Sequence, residues 1–143
     1  MRIVFLDIDG VLNNHKLLHK YGPDYIEPDL VDILKTIIFS TKSKIVLSSS
    51  WRLYGFSRRL VELALADKKM SFIDCTKEIY NVPRSEEIKD YLSVNKVTQF
   101  AILDDDPNAG IGLEYNFFQT DPEIGLTSKI AEDVINYFRG QND

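Results

Sequence analysis

A chain of 143 residues that is 44% hydrophobic and 27% charged has the make-up of a folded globular protein, long enough to close one core and fitting a single domain over residues 1–143. A lone cysteine, Cys75, excludes an internal disulfide framework and a cysteine-built zinc cluster. The net charge of −5 argues against a general nucleic-acid coat, although a bound divalent cation would offset part of it.

Residues 2–6 form a short run, apolar from Ile3 to Leu6, that suits a strand buried on both faces. The run is too short for a signal peptide, and no stretch reaches the roughly 20 apolar residues that span a bilayer, so the default expectation is a cytoplasmic protein with no membrane partner. The polar segment from Asn13 to Tyr25 holds His15, His19 and Gly22-Pro23 and reads as a loop or small flap, its histidines on the surface. Pro28 and Asp29 then open a helical pattern carried by Leu30, Val31, Leu34, Ile37 and Ile38.

Residues 44–47 form a second apolar strand, which ends in Ser48-Ser49-Ser50. A helix is expected from about Ser57 to Asp67 with Leu60, Leu63 and Ala64 on its inner face, followed by a weak strand at 71–75. Cys75 is expected there as a buried structural thiol. The next helix runs from Arg84 to Leu92 with Ile88, Tyr91 and Leu92 inward, and a third strand runs from Thr98 to Leu103 until Asp104-Asp105-Asp106-Pro107 stops it. A last strand is expected at 114–119. A closing helix follows at 127–138, capped by Thr127 or Ser128.

Strands alternating with helices indicate βαβ units and an α/β fold with a mainly parallel sheet covered on both faces. Such sheets bind ligands beyond the carboxyl ends of their strands. Asp7 and Asp9, Ser48 and Ser49, and Asp104 and Asp105 each follow an apolar strand and thus share that edge.

A carboxylate held in line becomes a nucleophile toward phosphorus when a metal neutralises the repulsion between them. Asp7 is placed for that role. Asp9 is placed to give a proton to the leaving oxygen and to take one from water. Gly10 permits a tight turn beside the ligand. Asp7, a carbonyl near Asp9, Asp104 and Asp105 offer hard oxygen ligands that favour Mg²⁺ over zinc. A serine hydroxyl after the second strand suits a phosphoryl oxygen, and Arg84 at a helix start balances charge there. Taken alone, each feature has a plainer reading: Asp-x-Asp-Gly is a common turn, and a run of aspartates often caps a helix.

The segment from Leu6 to Asn13 resembles the first motif of the haloacid dehalogenase-like superfamily of phosphohydrolases. Leu47 to Ser50 resembles the second and Leu103-Asp104-Asp105 the fourth, in order and over almost the whole chain. The resemblance implies a three-layer Rossmann-like domain with nucleophile Asp7, acid/base Asp9, and Mg²⁺ held by Asp7, the Asp9 carbonyl, Asp104 and Asp105. The second-motif hydroxyl is Ser48 or Ser49, with Ser49 favoured by its place two before Trp51. The third-motif cation is Arg84 or Lys77, with Arg84 preferred. Asp-Gly-Val-Leu-Asn with Ser-Trp-Arg is similar to domains associated with RNA repair, which places Asn13, Trp51 and Arg52 near the substrate. Trp51 would stack on a base or sit in the core.

Neither the segment between Gly10 and Ser48 nor that between Arg84 and Asp104 has room for a cap domain, since helices and strands already fill them. An uncapped site admits a bulky or polymeric phosphorylated substrate such as a nucleic-acid end or a phosphoprotein. Lys16, Lys20, Arg52, Arg58 and Arg59 would form a basic rim or remain ordinary solvated charges. The expected activity is phosphomonoester hydrolysis. The alternatives are phosphotransfer to another acceptor and a non-catalytic module that binds phosphate or metal.

Overall fold

A computed structural model describes residues 1–140 and shows five parallel strands with helices on both faces. The strands are β1 (Arg2–Leu6), β2 (Lys44–Leu47), β3 (Phe72–Cys75), β4 (Gln99–Asp104) and β5 (Phe117–Gln119), in the sheet order β3-β2-β1-β4-β5. The helices are α1 (His15–Tyr21), α2 (Pro28–Thr41), α3 (Gly55–Ala66), α4 (Arg84–Val94) and α5 (Ser128–Arg139). The fold is therefore the expected three-layer α/β arrangement with no cap among the described residues.

The two-residue period of a strand divides the apolar side chains between two cores. Val4, Leu6, Ile45, Leu47, Ala101 and Leu103 face the larger core, which α2, α3 and α5 cover. Ile3, Phe5, Val46 and Ile102 face the smaller one, which Ile88 and Tyr91 of α4 cover. Phe5 pairs in register with Val46 on one side and Ile102 on the other, so the three form a row across the sheet.

Several local expectations need correction. The segment 13–25 is not only loop: His15–Tyr21 is helical, capped by the Asn14 side chain, which accepts from the Leu17 N–H at 3.0 Å. Gly22 ends this helix at φ 103°, a conformation open to glycine. On α3 the inner residues are Val61 and Leu65, with Leu60 packed beside them. Leu63 is exposed and lines, with Ala64, Ile26 and Val31, an open groove of about 440 Å³ between α2 and α3. Strand β5 is shorter than expected because Glu114–Asn116 form a 3₁₀ turn before it. Cys75 is a half-buried free thiol at the fringe of the larger core. Thr127 does cap α5, accepting from the Ile130 N–H at 3.1 Å.

Candidate active site

The parallel ladder runs one residue past the end of four strands. The N–H groups of Asp7, Ser48, Thr76 and Thr120 donate to Leu103, Leu6, Leu47 and Asp104 carbonyls, each at 3.0 Å. Asp7, Ser48 and Asp104 are the residues two beyond Phe5, Val46 and Ile102. Alternation therefore points all three to the α4 side of the edge. Arg84, the first residue of α4, meets them there. Its Nη1 lies 2.7 Å from Asp104 Oδ2 and 3.3 Å from Asp7 Oδ1.

This face is largely buried and crowded with charge. Asp7 is 5% exposed and Asp104 is fully buried. Burial pushes the Asp7 carboxyl well above the usual carboxylate range; the nearby Asp104 pushes it further, and Arg84 offsets only part of this. Burial also raises Asp105, against an opposing hydrogen bond with Asp7. Burial works against the Arg84 charge, but Asp7 and Asp104 outweigh it and keep that guanidinium above its ordinary pKa. Asp104 is held at both oxygens, Oδ2 by Arg84 and Oδ1 by the Asp106 N–H at 2.9 Å. Asp106 itself caps the following 3₁₀ turn through the Asn108 N–H, so the plain capping reading applies to this third aspartate.

Carboxylate oxygens of Asp7, Asp104 and Asp105 converge within 4.8 Å of one another. Three hard oxygen donors facing one guanidinium leave an excess of negative charge, and that donor set fits Mg²⁺. Gly10 allows the close approach. Its φ is 78°, and a Cβ there would fall 2.3 Å from Asp105 Oδ2.

Asp9 occupies a different setting. Its side chain is exposed and stands outside the group of three carboxylates. Oδ1 accepts from Asn13 Nδ2 at 3.0 Å and Oδ2 accepts from Trp51 Nε1 at 3.1 Å. Asn13 has no exposed surface; its Oδ1 accepts from the Gly10 N–H and its Nδ2 also donates to the Tyr25 carbonyl.

The structure thus sorts the candidates. Asp7, Asp104, Asp105 and Arg84 come together, with Ser48 beside Asp7. Lys77 is exposed on the loop after β3, and the cation against the carboxylates is Arg84. The preference for Ser49 is not supported. Its Oγ accepts from the Trp51 N–H at 3.2 Å, whereas the buried Ser48 Oγ has no partner.

Asn13, Trp51 and Arg52 are all buried, which for Trp51 is the core placement expected as one alternative and for Arg52 departs from the expected basic rim. Trp51, 6% exposed, packs in the larger core and offers only its indole N–H to the site. Arg52 faces inward and leaves the basic rim. It donates to the carbonyls of Thr76, Ser48 and Ser49 and pairs with Glu87 Oε2 at 3.0 Å, while Glu87 also accepts from the Ile79 N–H. His15 pairs with Glu123 at 2.5 Å on the surface.

Two residues missed in the sequence support the site. Thr120 Oγ1 donates to the Gly10 carbonyl at 2.7 Å and fixes the turn after Asp7. Glu87 anchors Arg52. Thr120 could have been suspected as the first polar residue beyond a strand at the ligand edge; Glu87 carries no such signal.

A parallel sheet with an aspartate pair after its central strand, a serine after the next and adjacent aspartates after the third defines a haloacid dehalogenase-like domain. The family described as the HAD domain in Swiss Army Knife RNA repair proteins matches residues 3–131, and the chain belongs to it. Membership supports phosphoryl-transfer chemistry of the phosphohydrolase type. No curated protein matches the chain. No helix among the described residues is long and apolar enough to cross a membrane.

Proposed function

We propose that the protein is a Mg²⁺-dependent phosphomonoesterase that works through an aspartyl-phosphate at Asp7. The observation that carries this reading is the row of Asp7, Ser48 and Asp104 on one face of the sheet edge, closed by Arg84 at 2.7 and 3.3 Å. Mg²⁺ would be held by Asp7, Asp104, Asp105 and the Asp9 carbonyl, and when bound it neutralises charge between carboxylate and phosphate.

An Asp7 oxygen forms a bond to phosphorus while the bond to the leaving oxygen breaks, and the proton of Asp9 passes to that oxygen. Water then attacks the phosphorus, Asp9 takes its proton, and the Asp7 oxygen leaves with phosphate released. The Ser48 hydroxyl, free of other partners, donates to a phosphoryl oxygen. Arg84 balances the charge that develops across Asp7 and the phosphoryl group.

The substrate class that fits best is a phosphorylated nucleic-acid end. The family is named for RNA repair proteins, the edge carries no cap, and Tyr54, Phe56 and Tyr80 on the segments after β2 and β3 are 69%, 69% and 93% exposed. Exposed rings beside a phosphate site suit base stacking. Lys16, Lys20, Arg58 and Arg59 are exposed, with Arg59 paired to Glu62.

The test is hydrolysis of an aryl phosphate with Mg²⁺. Asp7→Asn should lower the rate by about 10³-fold or more, and equal rates in the two proteins would overturn the nucleophile. Phosphorylated oligonucleotides should then be preferred over free sugar phosphates; the reverse preference would overturn the substrate class.

A further inference from the structure

The exposed carboxylate of Asp9 is not left to rotate freely. Each of its oxygens accepts one N–H, from Asn13 at 3.0 Å and from Trp51 at 3.1 Å. The donors come from different parts of the chain, 4 and 42 residues away. Both are themselves fixed. The Asn13 amide has its oxygen and both hydrogens engaged. The Trp51 ring is packed in the larger core, the residue's backbone N–H donates to Ser49 Oγ, and its backbone carbonyl accepts from Ser57 Oγ at 2.7 Å.

An indole N–H donates and cannot accept. It therefore takes no proton from the carboxyl group and leaves each oxygen a lone pair for proton exchange. The arrangement fixes an orientation without competing for the proton. A tryptophan with a purely packing role has no need to aim its Nε1 at a solvated carboxylate.

We infer that Trp51 is a positioning residue that, together with Asn13, holds Asp9 in the one orientation in which it protonates the leaving-group oxygen. The inference rests on the acid/base role of Asp9 proposed above. Ser49 gains a role by the same chain of contacts, since it receives the Trp51 backbone N–H and steadies the turn that carries the indole.

The test compares kcat/KM for two phosphomonoesters, 4-nitrophenyl phosphate and a simple alkyl phosphate, with Mg²⁺ present. The first leaving group is stable as an anion and needs little proton assistance; the second requires it. Trp51→Phe removes the N–H and should lower kcat/KM for the alkyl ester by about tenfold while leaving the aryl ester within about twofold. Equal losses on both esters, or no loss on either, would overturn the inference.

Melting temperature is measured alongside. If Trp51→Phe folds poorly, replacement of Trp51 by 3-benzothienylalanine keeps the ring shape, puts sulfur in place of the N–H, and should give the same selective loss. Asp9→Asn in the same series separates the two readings. A selective loss in Asp9→Asn with flat Trp51 variants overturns the positioning role alone. No loss in Asp9→Asn overturns the acid/base role and this inference with it.

Discussion

On the α4 face of the sheet edge, Asp7, Ser48 and Asp104 crowd, nearly buried, around one guanidinium. Two residues past Asp7, Asp9 stands in solvent and is steadied by two neutral N–H groups. The first setting concentrates charge in a low-dielectric space, where each group raises the cost of its neighbours and a counter-cation gains most. The second keeps charge cheap and controls direction instead. Nucleophile and metal ligands need the former, and a group that must both give and take a proton needs the latter.

Arg84 and Arg52 repeat that division. Both lie against buried acidic groups, but Arg84 faces the carboxylate cluster and Arg52 ties together three loop carbonyls and Glu87 behind it. Arg52→Ala should cost about 3–5 kcal/mol of stability, because it strands a buried carboxylate. Chemical denaturation reads this directly. With Mg²⁺ present to offset the carboxylates it strands, Arg84→Ala should lose less stability than Arg52→Ala and lower kcat by about 10²–10³-fold. If instead the two variants lost stability equally, the division between scaffold cation and site cation would fail.

The raised Asp7 carboxyl sharpens the comparison through pH. In the metal-free protein the native state keeps a proton that the unfolded chain releases near its ordinary pKa, so stability is present at low pH and is lost as pH rises through the native value. Asp7→Asn mimics the protonated form at every pH. In EDTA it should melt about 2–8 °C above the wild type at neutral pH, and the gap should narrow toward about pH 4. Asp9→Asn should show no comparable gain, being solvated and hydrogen-bonded. A gain of equal size in both would erase the electrostatic difference between the two settings.

The smallest effects separate Ser48 from Ser49. Ser48→Ala removes a hydroxyl without a partner, so Tm should hold while kcat falls by about tenfold. Ser49→Ala removes an acceptor from the Trp51 turn and should cost about 0.5–1.5 kcal/mol. Thermal melts and aryl phosphate kinetics on the pair distinguish the two, and exchanged outcomes would return the phosphate contact to Ser49.

The strands were legible because continuous apolar runs at 3–6, 45–47 and 100–103 allow little else, and the aspartates that follow two of them announced the chemistry. The choice between Ser48 and Ser49 needed the register, since only the row through Phe5, Val46 and Ile102 shows which serine turns toward Asp7. Arg52 misled for a different reason. Residue type marks it as exposed, and its burial becomes affordable only through partners supplied by the tertiary fold, such as Glu87 at 35 residues' distance. Helix α1 was hidden because it buries no side chain and its two leucines, Leu17 and Leu18, stand adjacent rather than at helical spacing, so the Asn14 cap had no pattern to introduce.

The uncovered edge bears on the fate of a covalent intermediate. Enzymes that pass a phosphoryl group to a chosen acceptor keep solvent away while they do so. Here no cap domain closes over the edge among the described residues, and an acyl phosphate formed at Asp7 would be reached by water through the same opening that admits the substrate. On the reading proposed above, the architecture itself therefore favours irreversible release of phosphate over its relay to another molecule.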